Sequence, residues 1–144
     1  MNLEEKKKIL ITVPHLSSKA APYRQMMALA KYLPKDEFEL TICSLRRYGI
    51  EQTGPLLDSL GVSYFLARYR PRKLKELFGS IKTNRLINEY GPFDLQHSYD
   101  YSTLPLEPIF AKIAKRKFIH HQRNLNENGH PLLYLLESTF RILL

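Results

Sequence analysis

The sequence of 144 residues contains one cysteine and no tryptophan. The single cysteine, Cys43, excludes an intramolecular disulfide and a metal site built from several cysteines. Its position in an apolar run favours a small side chain in a strand over a reactive thiol. No apolar run approaches the roughly 20 residues that span a bilayer, and acidic residues before the first such run are atypical of a signal peptide. We therefore expect a cytoplasmic protein.

Glycine is missing from Val13–Leu33, although this segment is typical of a strand end, a turn and an amphipathic helix. Many nucleotide-binding α/β proteins have a glycine-rich phosphate loop there. The P-loop, dinucleotide, HExxH and GxSxG motifs are also missing, so the chemistries that depend on them lack support. Adjacent His120 and His121 should point to opposite sides of a strand, which disfavours joint binding of one ion. We expect neither a metal nor a cofactor.

The residues that are present carry a net charge of +8, with 25% charged and 44% hydrophobic residues overall. These fractions are typical of a globular protein, and the length suits one domain, residues 1–144. The positive charge favours anionic partners such as phosphates, an acidic membrane surface or nucleic acid. A solvated surface is the simpler explanation of the basic clusters at Lys6–Lys8, Arg46–Arg47, Arg68–Lys75 and Lys112–Lys117.

Apolar patterning predicts alternating strands and helices. The expected strands are Lys8–Val13, Phe38–Leu45, Val62–Leu66, Phe93–Ser98 and Lys117–His121. The expected helices are Pro22–Leu33, Thr53–Gly61, Pro71–Tyr90 (with Leu74, Leu77, Phe78 and Ile81 on one face), a segment around Leu106–Lys115, and Pro131–Leu144. This alternation predicts a Rossmann-like, doubly wound α/β domain: a mainly parallel sheet with helices on both faces. The last helix is apolar up to Leu144, so we expect a following domain or a partner subunit to cover part of it.

Polar side chains follow four of the five strands, where an open parallel sheet binds its ligands. They are His15, Ser17 and Ser18, then Arg46 and Arg47, then His97–Tyr101, and finally His120–Asn124. A single histidine at a strand end is more often structural, but groups from four loops that can bind phosphate and hydroxyl indicate a site.

Three segments carry a family resemblance: "KKILITV…TICSL" (7–45), "GPFDLQHSYDYST" (91–103) and "KFIHHQRNLNENG…LLYLLES" (117–138). Together they resemble the N-terminal half of a family 4 (group 1) glycosyltransferase of the GT-B fold, and the most specific piece is "FDLQHSYDYST". The resemblance implies half of a retaining enzyme that moves a sugar from a nucleotide-sugar donor to a hydroxyl acceptor. This half would hold the acceptor and be inactive alone. The nucleotide-sugar-binding C-terminal domain, with its pair of spaced glutamates, is absent from the sequence.

The resemblance and the strand ends together suggest the substrate-binding side chains but no catalytic residue. The expected set is His15, Arg24, His97, Asp100, His121, Arg123 and Asn124. His97 and Asp100 would bind hydroxyl groups, and Arg123 would contact an anion where many relatives have a histidine. Asp100 serves equally well as an N-cap of the following helix. Relatives often have Gly-Gly at Ala20 and Ala21, so here helix amides and Arg24 would face the donor diphosphate.

Family members often act on lipid-linked acceptors, which suggests a role for the basic segment before the third helix. We expect Arg68, Arg70, Arg72 and Lys73, with Tyr69 at the interface, to bind an anionic membrane surface, each cation contributing about 1 kcal/mol. The protein would then be peripheral at the inner face of the membrane.

Two other functions stay open. One is a stand-alone Rossmann-like domain that binds a ligand without chemistry. The other is a basic nucleic-acid-binding module, which is disfavoured because the sequence has no recognition motif and its tyrosines are scattered.

Overall fold

The computed structural model describes residues 5–19, 22–68, 75–99 and 106–121. Strands and helices alternate along these ranges. They are β1 (Lys7–Val13), α1 (Tyr23–Tyr32), β2 (Phe38–Ser44), α2 (Ile50–Ser59), β3 (Ser63–Leu66), α3 (Lys75–Tyr90), β4 (Leu95–Ser98), α4 (Leu106–Ile113) and β5 (Lys117–His120). The helix predicted at Pro131–Leu144 lies outside the described residues.

The strands form one parallel sheet in the order β3-β2-β1-β4-β5. Strand β1 is central, and its Ile11 lies beside Ile42 of β2 and His97 of β4. The chain winds outward from β1 in one direction through β3, then returns to the other side of β1 at β4. The Rossmann-like prediction is confirmed, and the strand order reverses between β1 and β4, where such sheets bind ligands.

Alternation along the strands divides the core into two layers. Ile11 and Ile42 point to one face of the sheet and pack with Met26 of α1 and Leu57 of α2. On the opposite face, Leu10, Cys43 and Phe65 pack with Ile87 of α3. Cys43 is fully buried in β2, as a small apolar side chain in a strand should be.

Helix α2 begins at Ile50, three residues earlier than the sequence predicts. The prediction placed Pro55 in the first turn, where proline is most favourable. In the structure Thr53 N–H already donates to Gly49 O at 3.0 Å, so the helix is under way before the proline. Pro55 is exposed and lies inside the helix, where it removes one backbone hydrogen bond and its ring crowds the carbonyl of residue 51.

Helix α3 turns the apolar side chains Leu77, Phe78 and Ile81 toward solvent; they are 44%, 68% and 46% exposed. The side that faces the sheet contains Ser80, Thr83 and Ile87, all buried. The sequence correctly places the three apolar residues together on α3, but periodicity alone would have turned their face to the core.

Candidate functional site

Three aromatic side chains come together where β4 and β5 end. The ring centroids of His97 and Tyr99 are 4.4 Å apart, those of Tyr99 and His121 are 4.9 Å apart, and those of His97 and His121 are 6.0 Å apart. We call these residues the histidine cluster. It brings together two of the predicted site residues, His97 and His121, around a tyrosine.

Backbone pairing explains why these side chains meet. Tyr99 N–H donates to Thr12 O at 2.8 Å, and His121 N–H donates to Ser98 O at 2.9 Å, so both residues continue the ladder just beyond their strands. Residues 97 and 99 point to the same face because side chains alternate along a strand. His121 joins that face from β5, whereas the ring of His120 lies against Phe118 instead, 6.3 Å away. The prediction that the adjacent histidines diverge is confirmed.

His97 has the surroundings of a binding group. Burial lowers its pKa, and the nearby His121 and His120 lower the pKa further. Its Nε2 atom is buried and has no hydrogen-bond partner among the described residues. A buried polar atom without a partner is unfavourable, and a ligand hydroxyl is the kind of group that would satisfy it.

His15 follows β1, and the structure holds its ring on two sides. The ring packs edge-on against Tyr48, with centroids 5.3 Å apart, and its Nδ1 atom accepts a hydrogen bond of 3.4 Å from Ser17 N–H. In the neutral ring the proton is therefore on Nε2. Burial lowers the pKa of His15, and the charge of Arg46 lowers it further.

The loop after β1 depends on its contact with the loop after β2. Leu16 N–H donates to Tyr48 O at 3.0 Å, and the Thr53 hydroxyl donates to Leu16 O at 2.7 Å. Gly49 lies so close that a Cβ atom there would be 2.3 Å from Ser17 N. Gly49 also has a φ of 86°, which glycine adopts without strain. These contacts position His15 at the carboxyl edge of the sheet.

Helix α1 presents an N-terminus suited to an anion. No side chain of the described residues caps it, and its first turn has no acidic residue. Arg24 lies in this turn with an exposed side chain. Arg46 is exposed after β2, whereas Arg47 forms an exposed ion pair of 3.2 Å with Glu51. The N-terminal amides of a helix and exposed guanidinium groups favour phosphate binding at this edge.

The remaining predicted residues fall outside the described part of the chain. Asp100, Arg123 and Asn124 belong to this group, and so do four of the five membrane-surface residues, Tyr69, Arg70, Arg72 and Lys73. The fifth, Arg68, is exposed and has a φ of 53°. Their roles stay predictions.

Sequence reasoning did not single out Tyr48 and Tyr99 as partners of the site histidines. The contact of Tyr99 with His97 could have been predicted from the sequence, because Tyr99 is two residues after His97 and strand periodicity puts both side chains on one face. No sequence pattern indicates the contact of Tyr48 with His15, because it depends on two loops that follow different strands. Within the described ranges no group of three His, Cys, Asp or Glu residues could hold a metal ion.

Two solved structures share this fold. One is a glycosyltransferase from Rickettsia africae ESF-5, with a TM-score of 0.60 and 19% identity over 85% of this chain. The chain therefore has a glycosyltransferase-like fold. The other structure, Anabaena HepE in complex with UDP and glucose, has a TM-score of 0.60 and 16% identity over 93% of this chain. The resemblance to glycosyltransferases that the sequence predicts is confirmed at the level of the fold.

The glycosyltransferase-like domain spans only about a third of these structures, 32% and 35% of their chains. No protein-family model matches the sequence, and no curated protein matches it significantly. None of the helices in the described ranges combines the length and hydrophobicity of a membrane-spanning segment.

The glycosyltransferase-like domain should lose stability in mild acid through His97. The pKa of His97 is lowered in the folded chain, whereas in the unfolded chain it has its ordinary value of about 6.5. As the pH falls, the unfolded chain therefore binds a proton at this residue before the folded chain does. The contribution of neutral His97 to the free energy of unfolding is therefore fully present above about pH 6.5, and it is lost as the pH drops toward the folded-state pKa. Urea unfolding at a series of pH values should show a smaller loss in His97→Gln than in the unchanged chain. An identical loss in both proteins would contradict this assignment.

Proposed function

We propose that this chain is the acceptor-binding half of a retaining glycosyltransferase, which transfers a sugar from a nucleotide-sugar donor to an acceptor hydroxyl. One observation carries the proposal: the histidine cluster lies at the carboxyl edge beside β1, in a sheet that shares its fold with a glycosyltransferase. The buried Nε2 atom of His97, which has no hydrogen-bond partner within the described part of the chain, suits a hydroxyl ligand.

The site residues divide into two chemical roles. His97 and Asp100 bind hydroxyl groups of the acceptor, with His121 supporting the ring of His97 through the cluster. Arg123, Asn124 and the N-terminus of α1 with Arg24 contact anionic groups. His15 borders the site from the loop after β1.

The chemical step needs little from this half. In a retaining transfer with front-side return, the departing donor phosphate accepts the proton of the acceptor hydroxyl. The residues of this chain contribute by holding the hydroxyl in position and by stabilising negative charge. The protein therefore needs a second half for donor binding, and this chain alone is inactive. HepE, with UDP and glucose bound, supports a nucleotide-sugar donor.

The acceptor is hydroxyl-bearing and lipid-linked in this proposal, and the protein is peripheral at the cytoplasmic face of a membrane. The basic segment Arg68–Lys73 supports this location, because clustered Lys and Arg side chains are attracted to anionic lipid. Nucleic acid is not a proposed partner.

The test is glycosyl transfer by a longer protein that contains this chain and a donor-binding half. His97→Gln and Arg123→Ala should each lower kcat/KM by about 100-fold, because each removes a positioning or charge-stabilising contact. Their melting temperatures should change little, so the loss of activity would not be explained by a loss of folding. Tyr32→Ser, which alters a side chain 72% exposed on α1, is the control and should keep full activity.

Four results would count against the proposal. Unchanged activity in both His97→Gln and Arg123→Ala would remove the site. Turnover or hydrolysis of a nucleotide sugar by the pure 144-residue chain would contradict its role as half an enzyme. Binding of a small ligand without any transfer by the longer protein would favour the stand-alone ligand-binding domain. Tight, steeply salt-dependent binding of nucleic acid would favour the nucleic-acid module.

A further inference from the structure

The core layer that contains Ile87 also has a small polar cavity, which lies between the sheet and the helices α3 and α4. We call it the α3 cavity. It has about 20 Å³ of space for the centre of a water molecule. Of the described residues that line it, three are apolar and five are polar: Ser80, Thr83 and Asn84 of α3, Gln96 of β4 and Glu107 of α4. A mostly polar lining inside a core is informative because buried positions are usually apolar.

Two of the lining side chains are deeply buried, and each has a polar atom without a partner. Thr83 and Gln96 are 7% and 2% exposed. Neither Thr83 Oγ1 nor Gln96 Oε1 has a hydrogen-bond partner within the described ranges. A buried polar atom without a partner is unfavourable, so both atoms indicate a ligand that can form hydrogen bonds in the cavity.

The geometry of the two side chains supports this reading. A threonine hydroxyl in a helix often donates to the carbonyl four residues earlier, but Thr83 Oγ1 makes no such bond to Gly79 O. The amide nitrogen of Gln96 donates to Thr12 Oγ1 at 3.4 Å, which leaves the amide oxygen of Gln96 for the cavity.

The charged groups at the α3 cavity oppose each other. Asn84 Oδ1 accepts a hydrogen bond of 2.6 Å from the Arg116 guanidinium, and Glu107 accepts one from the Ser98 hydroxyl. Arg116 is buried, with 5% of its surface exposed. The cavity is thus bordered by one cation and one anion, so its surroundings favour a neutral ligand over an ion.

Size and lining select water among the neutral ligands. An ordered water needs at least about 10 to 15 Å³ of such space and roughly two to four polar partners, and the α3 cavity provides both. A sugar or a nucleotide is far too large. A hard metal cation prefers several carboxylate or carbonyl oxygens, whereas Glu107 is the only acidic residue among the described residues of the lining and Arg116 would repel the cation.

We propose that the α3 cavity binds one ordered water molecule, which accepts a hydrogen bond from the Thr83 hydroxyl and donates one to Gln96 Oε1. The water links helix α3 to strand β4. It also explains how α3 can turn polar side chains toward the sheet while its apolar side faces solvent. Because neighbouring side chains on a strand alternate, Gln96 points away from His97, and the water therefore lies behind the strand that carries the histidine cluster.

The first experiment is thermal unfolding of Thr83→Val, which keeps the branched shape of the side chain and removes the hydroxyl. If the hydroxyl is bonded to a water, its loss should lower the melting temperature by about 3 °C or more. If the hydroxyl has no partner, removing it should raise the melting temperature, because a buried polar group is lost. An unchanged or raised melting temperature would overturn the inference.

The matched control is Thr53→Val. Thr53 is also a buried threonine in a helix, 2% exposed, but its hydroxyl donates directly to Leu16 O at 2.7 Å. This variant gives the shift that follows the loss of a buried, hydrogen-bonded hydroxyl. We expect Thr83→Val and Thr53→Val to lower the melting temperature by similar amounts. A fall in Thr53→Val alone would show that the Thr83 hydroxyl is not bonded, against the proposal.

The second experiment observes the ligand directly in a crystal structure of the unchanged chain, so it does not depend on the folding of a variant. One water is expected at about 2.7 to 3.2 Å from both Thr83 Oγ1 and Gln96 Oε1. A site without density would overturn the inference, and so would an ion at the shorter distances of metal coordination. Neither experiment contains a donor or an acceptor. Their failure would therefore leave the transfer result for His97 and Arg123 untouched, and the reverse also holds.

Discussion

Gly49→Ala is expected to lower the free energy of unfolding by about 3 kcal/mol or more. A Cβ atom at this position would lie 2.3 Å from Ser17 N and 2.4 Å from the carbonyl carbon of Leu16. Both are backbone atoms, so neither can move aside as a flexible side chain would. The φ of 86° adds the strain of a left-handed conformation. Urea denaturation of the variant measures the loss.

Gly61→Ala is the matched control because Gly61 shares the backbone conformation without the crowding. Its φ is 66°, and a Cβ atom there would have nothing within 4 Å. We expect a loss of about 1 kcal/mol, the strain alone. The difference between the two variants isolates the close approach of the loops after β1 and β2. Equal losses would show that this approach is unimportant.

The Gly49 contact also bears on the site. To make room for the added Cβ atom, the segment around Leu16 would have to move away from Tyr48, whose ring packs against His15. In the longer protein we therefore expect Gly49→Ala to weaken substrate binding as well as folding.

Arg116→Ala is expected to lower the free energy of unfolding by about 2 to 3 kcal/mol. Arg116 is 5% exposed, and its guanidinium donates to the amide oxygens of Asn84 and Asn88 on α3. Burial lowers the pKa of Arg116, and the charge of Glu107 partly offsets this. Truncation removes the buried side chain, both hydrogen bonds and the cation near Glu107 together. Chemical denaturation gives the loss.

Two further variants separate the causes. Arg85→Ala breaks an exposed ion pair of 3.5 Å with Glu89 and should cost no more than about 0.5 kcal/mol. Arg116→Lys keeps the charge, but a single ammonium group cannot reproduce the planar fork that reaches two amides. Its stability should therefore lie between those of Arg116→Ala and the unchanged chain. A loss in Arg116→Ala as small as that in Arg85→Ala would rule out the network as a major contribution.

The sequence by itself determined the alternation of strands and helices. The first two strands are short apolar runs with several β-branched residues. Strands β2 and β4 end at Ser44 and Ser98, within a residue of their predicted ends. Parallel strands bring their carboxyl ends to one edge, so the sequence could also predict that His97 and His121 would meet. Such predictions succeed because side-chain alternation and chain direction are local properties of a strand.

Only the tertiary structure decided which way α3 faces and what surrounds the site histidines. Helical periodicity groups Leu77, Phe78 and Ile81, but it cannot weigh their burial against the hydrogen bonds that Arg116 makes with Asn84 and Asn88. That choice depends on a residue 28 positions from Asn88 along the chain. The pairing of Tyr48 with His15 likewise depends on the approach of two loops that Gly49 permits. Contacts between residues far apart in sequence leave no periodic signal in either segment, so they emerge only when the chain is folded.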